Sequence, residues 1–187
     1  MGAPVPDATW KFDASSGRLI IRTGVTGRAA RMGHRLTIAM TSWRAAVTWT
    51  DEQPRAVELT VDVASLEVLR GEGGVTPLTG PEKALARANA LKTLGADRFR
   101  TIDFRADEIA QRDGGYRLTG TLQIRGTSRP CDIDLRVQDV GDTWGMSCEA
   151  QVRQSEFGVQ PYSMFMGSMK VTDEVTVSFV ASRSKER

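Results

Sequence analysis

The sequence predicts an all-β fold, an antiparallel sheet closed into a barrel with one inserted α-helix. Three observations carry this reading. Apolar and polar residues alternate in period two along most of the 187-residue chain, as half-buried antiparallel strands require. Gly and Asp pairs with tight-turn chemistry separate the alternating runs. One segment, 81–95, switches to helical spacing. Eight or nine strands in a chain of this size do not stay flat and open, and a barrel of about eight strands is just wide enough to hold one small ligand.

Taken in order, Leu19, Ile21, Thr23 and Val25 share the inward face of an early strand. Val57, Leu59, Val61 and Val63 form the cleanest alternating set, with Glu58, Thr60, Asp62 and Ala64 opposite. The Gly/Pro stretch 70–80 exceeds a typical connection and reads as a functional or mobile loop. Residues 81–95 then read as an amphipathic helix in which Ala84, Ala88, Leu91 and Gly95 share a stripe, with Leu85 and Leu94 beside it. Pro81 suits the first helical position, Glu82 complements the positive end of the dipole, and Gly95 can take the left-handed cap. Further inward sets are Leu118, Gly120, Leu122 and Ile124, then Ile133, Leu135 and Val137, then Trp144, Met146, Cys148, Ala150 and Val152, and last Val175, Val177 and Phe179. Asp113-Gly114-Gly115 and Gly141-Asp142 supply hairpin turns. A two-residue loop at 141–142 sets Val140 against Thr143, which leaves Cys131 and Cys148 out of register by roughly 13 Å along the strands, beyond disulfide reach. Both are expected to be free thiols.

Hydrophobic residues make up 40% of the chain and charged residues 26%, which fits one soluble globular domain over 1–187 and excludes a disordered tail. No apolar run approaches the roughly 18 residues that a membrane-spanning helix needs. The opening MGAPVPDATWKF lacks the basic and apolar regions of an export signal, so the expected location is cytoplasmic. A net charge of +2 gives no reason to expect a nucleic-acid partner. The distribution says more: residues 14–50 hold Arg18, Arg22, Arg28, Arg31, Arg35 and Arg44 and no carboxylate. Arg28, Arg31 and Arg35 are candidates for an anion-receiving rim, because the guanidinium fork bonds phosphate oxygens bidentately.

His34 is the single histidine, so any Ser-His-Asp or Cys-His arrangement must use it. No G-x-S-x-G elbow is present, and GEGG (71–74) lacks the Lys-Ser of a phosphate loop. His34 with two cysteines is too thin a set for a metal cage, so no catalytic residue, metal or cofactor is assigned. The segment PYSMFM (161–166), with Phe157 just before it, is the densest apolar cluster, and Met164, Met166 and Met169 bring thioethers that adapt to irregular apolar ligands.

The segment LTGTLQIRGTSRPCDIDL (118–135) resembles the YceI-like family, whose signature strand and turn reads Gly-x-Leu-x-Ile-x-Gly-x-x-Arg-Pro and is met by Gly120, Leu122, Ile124, Gly126, Arg129 and Pro130. RFRTIDFRAD (98–107) and FGVQPYSMFMGSMKVTDEVTVSF (157–179) are similar to further stretches of that family, and GHRLTIAM (33–40) resembles a Gly-His segment of one branch. The resemblance implies an extended eight-stranded, lipocalin-like antiparallel barrel that binds polyisoprenoid or similar amphiphilic lipids. The candidate lining is then Leu36, Ile38, Met40, Leu59, Val61, Leu122, Ile124, Phe157, Met164 and Phe165, with His34, Tyr162 and Lys170 as polar contacts at the open end. The expected function is non-catalytic binding or carriage of a polyisoprenoid, its diphosphate or an isoprenoid quinone, in a chain that is also compatible with a homodimer. Two alternatives stay open: a protein- or membrane-surface interaction module with a packed barrel, and an enzyme acting on a small isoprenoid through His34.

Overall fold

The computed structural model describes residues 8–185, so the opening segment read for an export signal lies partly outside the described residues. The strands are β1 (Ala8–Asp13), β2 (Gly17–Arg22), β3 (Val25–Thr26), β4 (His34–Met40), β5 (Trp43–Thr50), β6 (Gln53–Asp62) and β7 (Leu66–Gly73). The helix α1 (Gly80–Leu94) follows. After it come β8 (Thr101–Arg112), β9 (Gly115–Ile124), β10 (Thr127–Val140), β11 (Thr143–Arg153), β12 (Ser163–Met164), β13 (Met169–Val171) and β14 (Glu174–Ser184).

Eleven strands pair in the order β1-β5-β6-β8-β9-β10-β11-β14-β2-β4-β7, antiparallel throughout, and the sheet curls strongly into a half-barrel. A small second sheet runs β12-β13-β3. The all-β architecture with one inserted helix is as expected, but the main sheet has eleven strands instead of eight. The difference lies mainly in 34–73. There Thr41 and Ser42 join β4 to β5 without a Gly or Pro signal, and the expected loop at 70–80 gives up Arg70–Gly73 to β7. Irregular pairing at Thr37/Ile38, Thr48/Trp49 and Ala106/Glu108 adds the extra twist that curling needs. Gly120 sits at the last of these opposite Ala106, where a Cβ would come within 2.2 Å of the Arg105 carbonyl oxygen, so only glycine lets the two strands approach.

Among the described residues no ladder joins the end strands β1 and β7, and α1 packs beside β7 where closure would occur. The helix is well specified locally. Thr79 accepts from the Glu82 N–H while the Glu82 carboxylate accepts from the Thr79 N–H, a capping box. Gly95 ends the helix in the left-handed conformation, φ 64°. Arg87 ties it to the sheet end, donating to the carbonyls of Leu66 (2.8 Å) and Ala64 (2.7 Å). The expected helix therefore forms, one residue earlier at each end, but only part of the expected face turns inward: Leu91 and Leu94 pack on the core. Ala84 and Ala88 are exposed, and the side turned inward carries Ala86, Asn89, Ala90, Thr93 and Leu94.

The packed part of the interior centres on Phe12, Leu19, Ile38, Met40, Trp43, Val61 and Leu66, with a second cluster at Phe104, Ala106 and Leu118. Trp43 stands edge-on to Phe179 at 5.2 Å and its buried indole N–H has no partner. Trp43→Ala should therefore lower the unfolding free energy by about 3–5 kcal/mol, through lost burial and the cavity left behind. Trp43→Phe, which removes the unsatisfied donor and keeps an aromatic ring, should cost much less; urea denaturation of the two variants beside the wild type measures both.

Candidate functional site

The alternation of the strands leaves a large cavity of about 560 Å³ inside the half-barrel. In the wall formed by β4, β2, β14 and β11, the register stacks inward side chains in rows. Met40, Leu19, Phe179 and Cys148 form one row; Ile38, Ile21, Val177 and Ala150 form the next; Val175 then faces Val152. All of these residues line the cavity, as do Leu59 and Val61 from β6 and Leu122 and Ile124 from β9. Polar side chains reach it only at Thr23, His34, Glu82, Asn89, Thr93, Gln154, Tyr162 and Lys170, with the thiols of Cys131 and Cys148, among the described residues.

The lining residues that are themselves exposed mark the mouth: Met32, Glu82, Leu85, Met164, Phe165 and Lys170. They come from the short 3-10 turn Ala30–Met32, the first turns of α1 and the arm 163–170. The arm is held against the earlier segment because β13 pairs with β3 and the Ala29 N–H donates to the Ser168 carbonyl at 2.9 Å.

The structure thus brings twelve of the thirteen expected ligand-binding residues to one cavity: His34, Leu36, Ile38, Met40, Leu59, Val61, Leu122, Ile124, Tyr162, Met164, Phe165 and Lys170. Phe157 is the exception. It is buried, but it lines a separate pocket of about 170 Å³ with Pro130 and Val152, because the 3-10 turn Gln154–Phe157 bends the chain off the sheet. Arg28, Arg31 and Arg35 are exposed and outside the lining; Arg35 points to the opposite face of β4 from His34 and Leu36. The inner face of α1, including Glu82, Asn89 and Thr93, was not anticipated. A Thr-x-x-Glu box at 79–82 marks in the sequence where that helix starts but not which of its faces turns inward.

The polar groups at the mouth are unequally committed. The His34 Nε2 lies 2.8 Å from the Thr76 carbonyl oxygen, which can only accept, so this nitrogen carries the hydrogen. Gly74 packs on the imidazole so closely that a Cβ there would fall 2.4 Å from Nε2. The Glu82 carboxylate accepts from the Thr79 N–H and hydroxyl, both at 2.7 Å, and these bonds hold it below the usual carboxylate range. Lys170 lines the cavity and has no ion-pair partner among the described residues. No cluster of three or more metal-ligating side chains occurs among them.

Both cysteines are free, and the hairpin at 141–142 has the expected register, Val140 against Thr143 and Arg136 against Ser147. Burial pushes both thiols up, Cys148 to about 11.

A profile of the YceI-like domain matches residues 10–182. The fold is similar to that of BcnA from Burkholderia cenocepacia, with a TM-score of 0.69 and 18% identity over 92% of this chain and 99% of that one. It is also similar to a mutant CJ YCEI protein with a monobromobimane guest (TM-score 0.60, 13% identity, 80% of this chain and 85% of that one). A third similar structure is the Campylobacter jejuni YCEI protein that crystallizes with large solvent channels (TM-score 0.54, 14% identity, 72% and 75%). At these identities the structures speak for the fold alone. No curated protein matches the chain significantly.

The thiols report on this cavity directly. Alkylation of Cys148 in the folded protein should be slow near neutrality and accelerate as pH rises toward about 11. The same shift acts on stability. A thiol that ionises later in the folded than in the unfolded state favours unfolding as pH climbs from the ordinary thiol range, about 8.5, to the folded value. Stability should therefore fall over that window, and Cys148→Ala should flatten the fall; thermal melts across the alkaline range check it.

Proposed function

The chain belongs to the YceI-like family, and from that premise we propose that it binds an amphiphilic isoprenoid-type lipid in its cavity without transforming it. The single observation that carries this reading is the cavity: about 560 Å³, walled mainly by alternating apolar side chains, with Lys170 and Glu82 at its mouth. That volume falls within the roughly 300–1,000 Å³ typical of small-molecule sites. A fully packed barrel, which a pure interaction module requires, leaves no such space. His34 supports binding more than chemistry, since its Nε2–H is committed to a main-chain carbonyl and no nucleophile is hydrogen-bonded to the ring among the described residues. The apolar tail lies along Ile38, Ile21, Val177 and Leu122, and the head group stays at the mouth beside Lys170, His34 and Tyr162. A polyisoprenoid, its diphosphate and an isoprenoid quinone all have that shape.

Affinity should rise with the number of isoprene units, since each buried methylene contributes about 0.8 kcal/mol, and then level off once the tail fills the cavity. Ile38→Trp, which adds volume to the second inward row, should move the plateau to shorter tails. Titration calorimetry across a series of prenyl alcohols reads both effects, and an affinity that stays flat across the series would sink the proposal. A second series tests the head group. Lys170→Ala should weaken a prenyl diphosphate by about tenfold, because a charge-assisted hydrogen bond is lost, and leave the matching alcohol almost unchanged.

A further inference from the structure

We propose that the lip around the cavity mouth is a docking surface for an anionic lipid bilayer. The first observation is where apolar side chains are exposed. Nine large hydrophobic residues are exposed among the described residues, and six of them stand on this lip: Met32, Val75, Leu85, Met164, Phe165 and Met166. Leu69, Val140 and Val180, the remaining three, lie on strands or a hairpin end elsewhere. Met166 is completely exposed and does not line the cavity, so neither packing nor the proposed ligand accounts for it. Val75 is 78% exposed and sits between Gly74, packed on the His34 ring, and Thr76, bonded to it.

The second observation is backbone strain at the same place. Phe165 and Met166 both have positive φ, 50° and 55°, a conformation that bulky L-residues seldom adopt. Strain in two consecutive apolar residues that project into solvent is the mark of a segment shaped for a partner, not for its own packing.

The third observation is charge. The lip segments 27–35 and 159–172 hold Arg28, Arg31, Arg35 and Lys170 and no carboxylate, and 74–79 holds no charge at all. Of the carboxylates that flank these segments in sequence, Glu72 is paired with Arg70 at 3.4 Å, Glu82 is turned to its own helix cap, Asp173 accepts from the Ser155 N–H and hydroxyl, and Glu174 is paired with Arg153 at 3.6 Å, while Glu156 precedes the arm. Apolar tips flanked by arginines match a leaflet in which acyl chains receive the tips and anionic head groups receive the cations. A second copy of this chain fits worse, because a two-fold contact would set these like charges against one another.

The docking surface goes beyond the carrier reading, and it rests on that reading only where it implies that a tail passes from leaflet to cavity without crossing water. The test is flotation of the full chain with vesicles of mixed phosphatidylcholine and phosphatidylglycerol, with vesicles of phosphatidylcholine alone as the second arm. Binding to the mixed vesicles is expected, weaker at raised salt and on the neutral vesicles. Met166→Asp should weaken it about tenfold or more, as expected for losing the insertion of one apolar side chain. Each of Arg28→Gln and Arg31→Gln should weaken it about fivefold. Because Met166 is outside the cavity lining, Met166→Asp should bind a soluble short-chain prenyl alcohol as the wild type does, which also shows that the variant is folded. Wild-type chain that does not float with the mixed vesicles overturns the proposal. So does flotation indifferent to Met166→Asp, or a dimer in light scattering that Met166→Asp dissolves. A wild type that floats yet binds no prenyl alcohol supports the docking surface and removes the carrier reading instead.

Discussion

The interior space depends on one constraint: the curled sheet points an apolar row inward from nearly every strand but, among the described residues, is not sealed by a ladder between β1 and β7. A closed small barrel either fills with its own side chains or keeps room for one small ligand. Here α1 lies beside the unsealed edge, and a helix cannot interdigitate with inward rows as a further strand would. The helix also covers the edge strand β7, whose free N–H and C=O groups would otherwise invite pairing with another chain. Its own ends are closed by the Thr79–Glu82 box and Gly95, and Arg87 fixes it to the Ala64 and Leu66 carbonyls. Loss of that seating would open the mouth and expose the inward rows together, so the site and the fold share one support.

A second support sits at the far end of the helix. The Phe99 ring lies against the positions where both Gly95 and Gly126 would carry a Cβ, at 3.1 and 3.0 Å, and the guanidinium of Arg98 stands 5.2 Å from its centroid. Gly126 follows Arg125 in the β9–β10 turn, and both have positive φ, the backbone that a two-residue hairpin with matching twist demands. From that turn, Arg125 donates to the Gly158 carbonyl at 2.7 Å and Arg129 to the Glu156 carbonyl at 2.9 Å. Helix end, hairpin turn and the start of the mouth arm are thus joined through one aromatic ring and two arginines.

The inward faces were legible in the sequence because a strand's period is rigid. Once Leu59 is inward, Val57 and Val61 must be, and the cavity takes all three. The extent of the helix was legible for the same kind of reason, since Pro81, Glu82 and Gly95 are position-specific. Its inner face was not, because apolar periodicity identifies a helix packed on a core, whereas this one borders a cavity and turns Asn89 and Thr93 toward it while leaving Leu85 60% exposed. The strand number was missed where β4 passes to β5 through Thr41-Ser42 and where β5, with Ala45 and Ala46 on opposite faces, gives a weak alternation. Phe157 lies outside the main cavity for another reason. Residue type fixes what a side chain prefers to touch, while the 3-10 turn at 154–157 depends on local backbone that no period encodes.

Those two kinds of legibility separate the scaffold from the specificity. The signature residues Gly126, Arg129 and Pro130 hold the β9–β10 turn and the 154–158 bend, and none of them lines the cavity. What a ligand head group meets is instead set at the mouth. There Lys170 is the single cation of the lining and Glu82 its single carboxylate among the described residues, and the two are not equivalent. Glu82 spends its acceptor oxygen on the Thr79 N–H and hydroxyl, so its charge is balanced at the helix N-terminus, whereas the Lys170 ammonium faces the mouth unpaired. The field at the opening therefore favours an anion over a cation. Exchanging Lys170 for a neutral side chain would remove that preference without touching a residue that holds the barrel together.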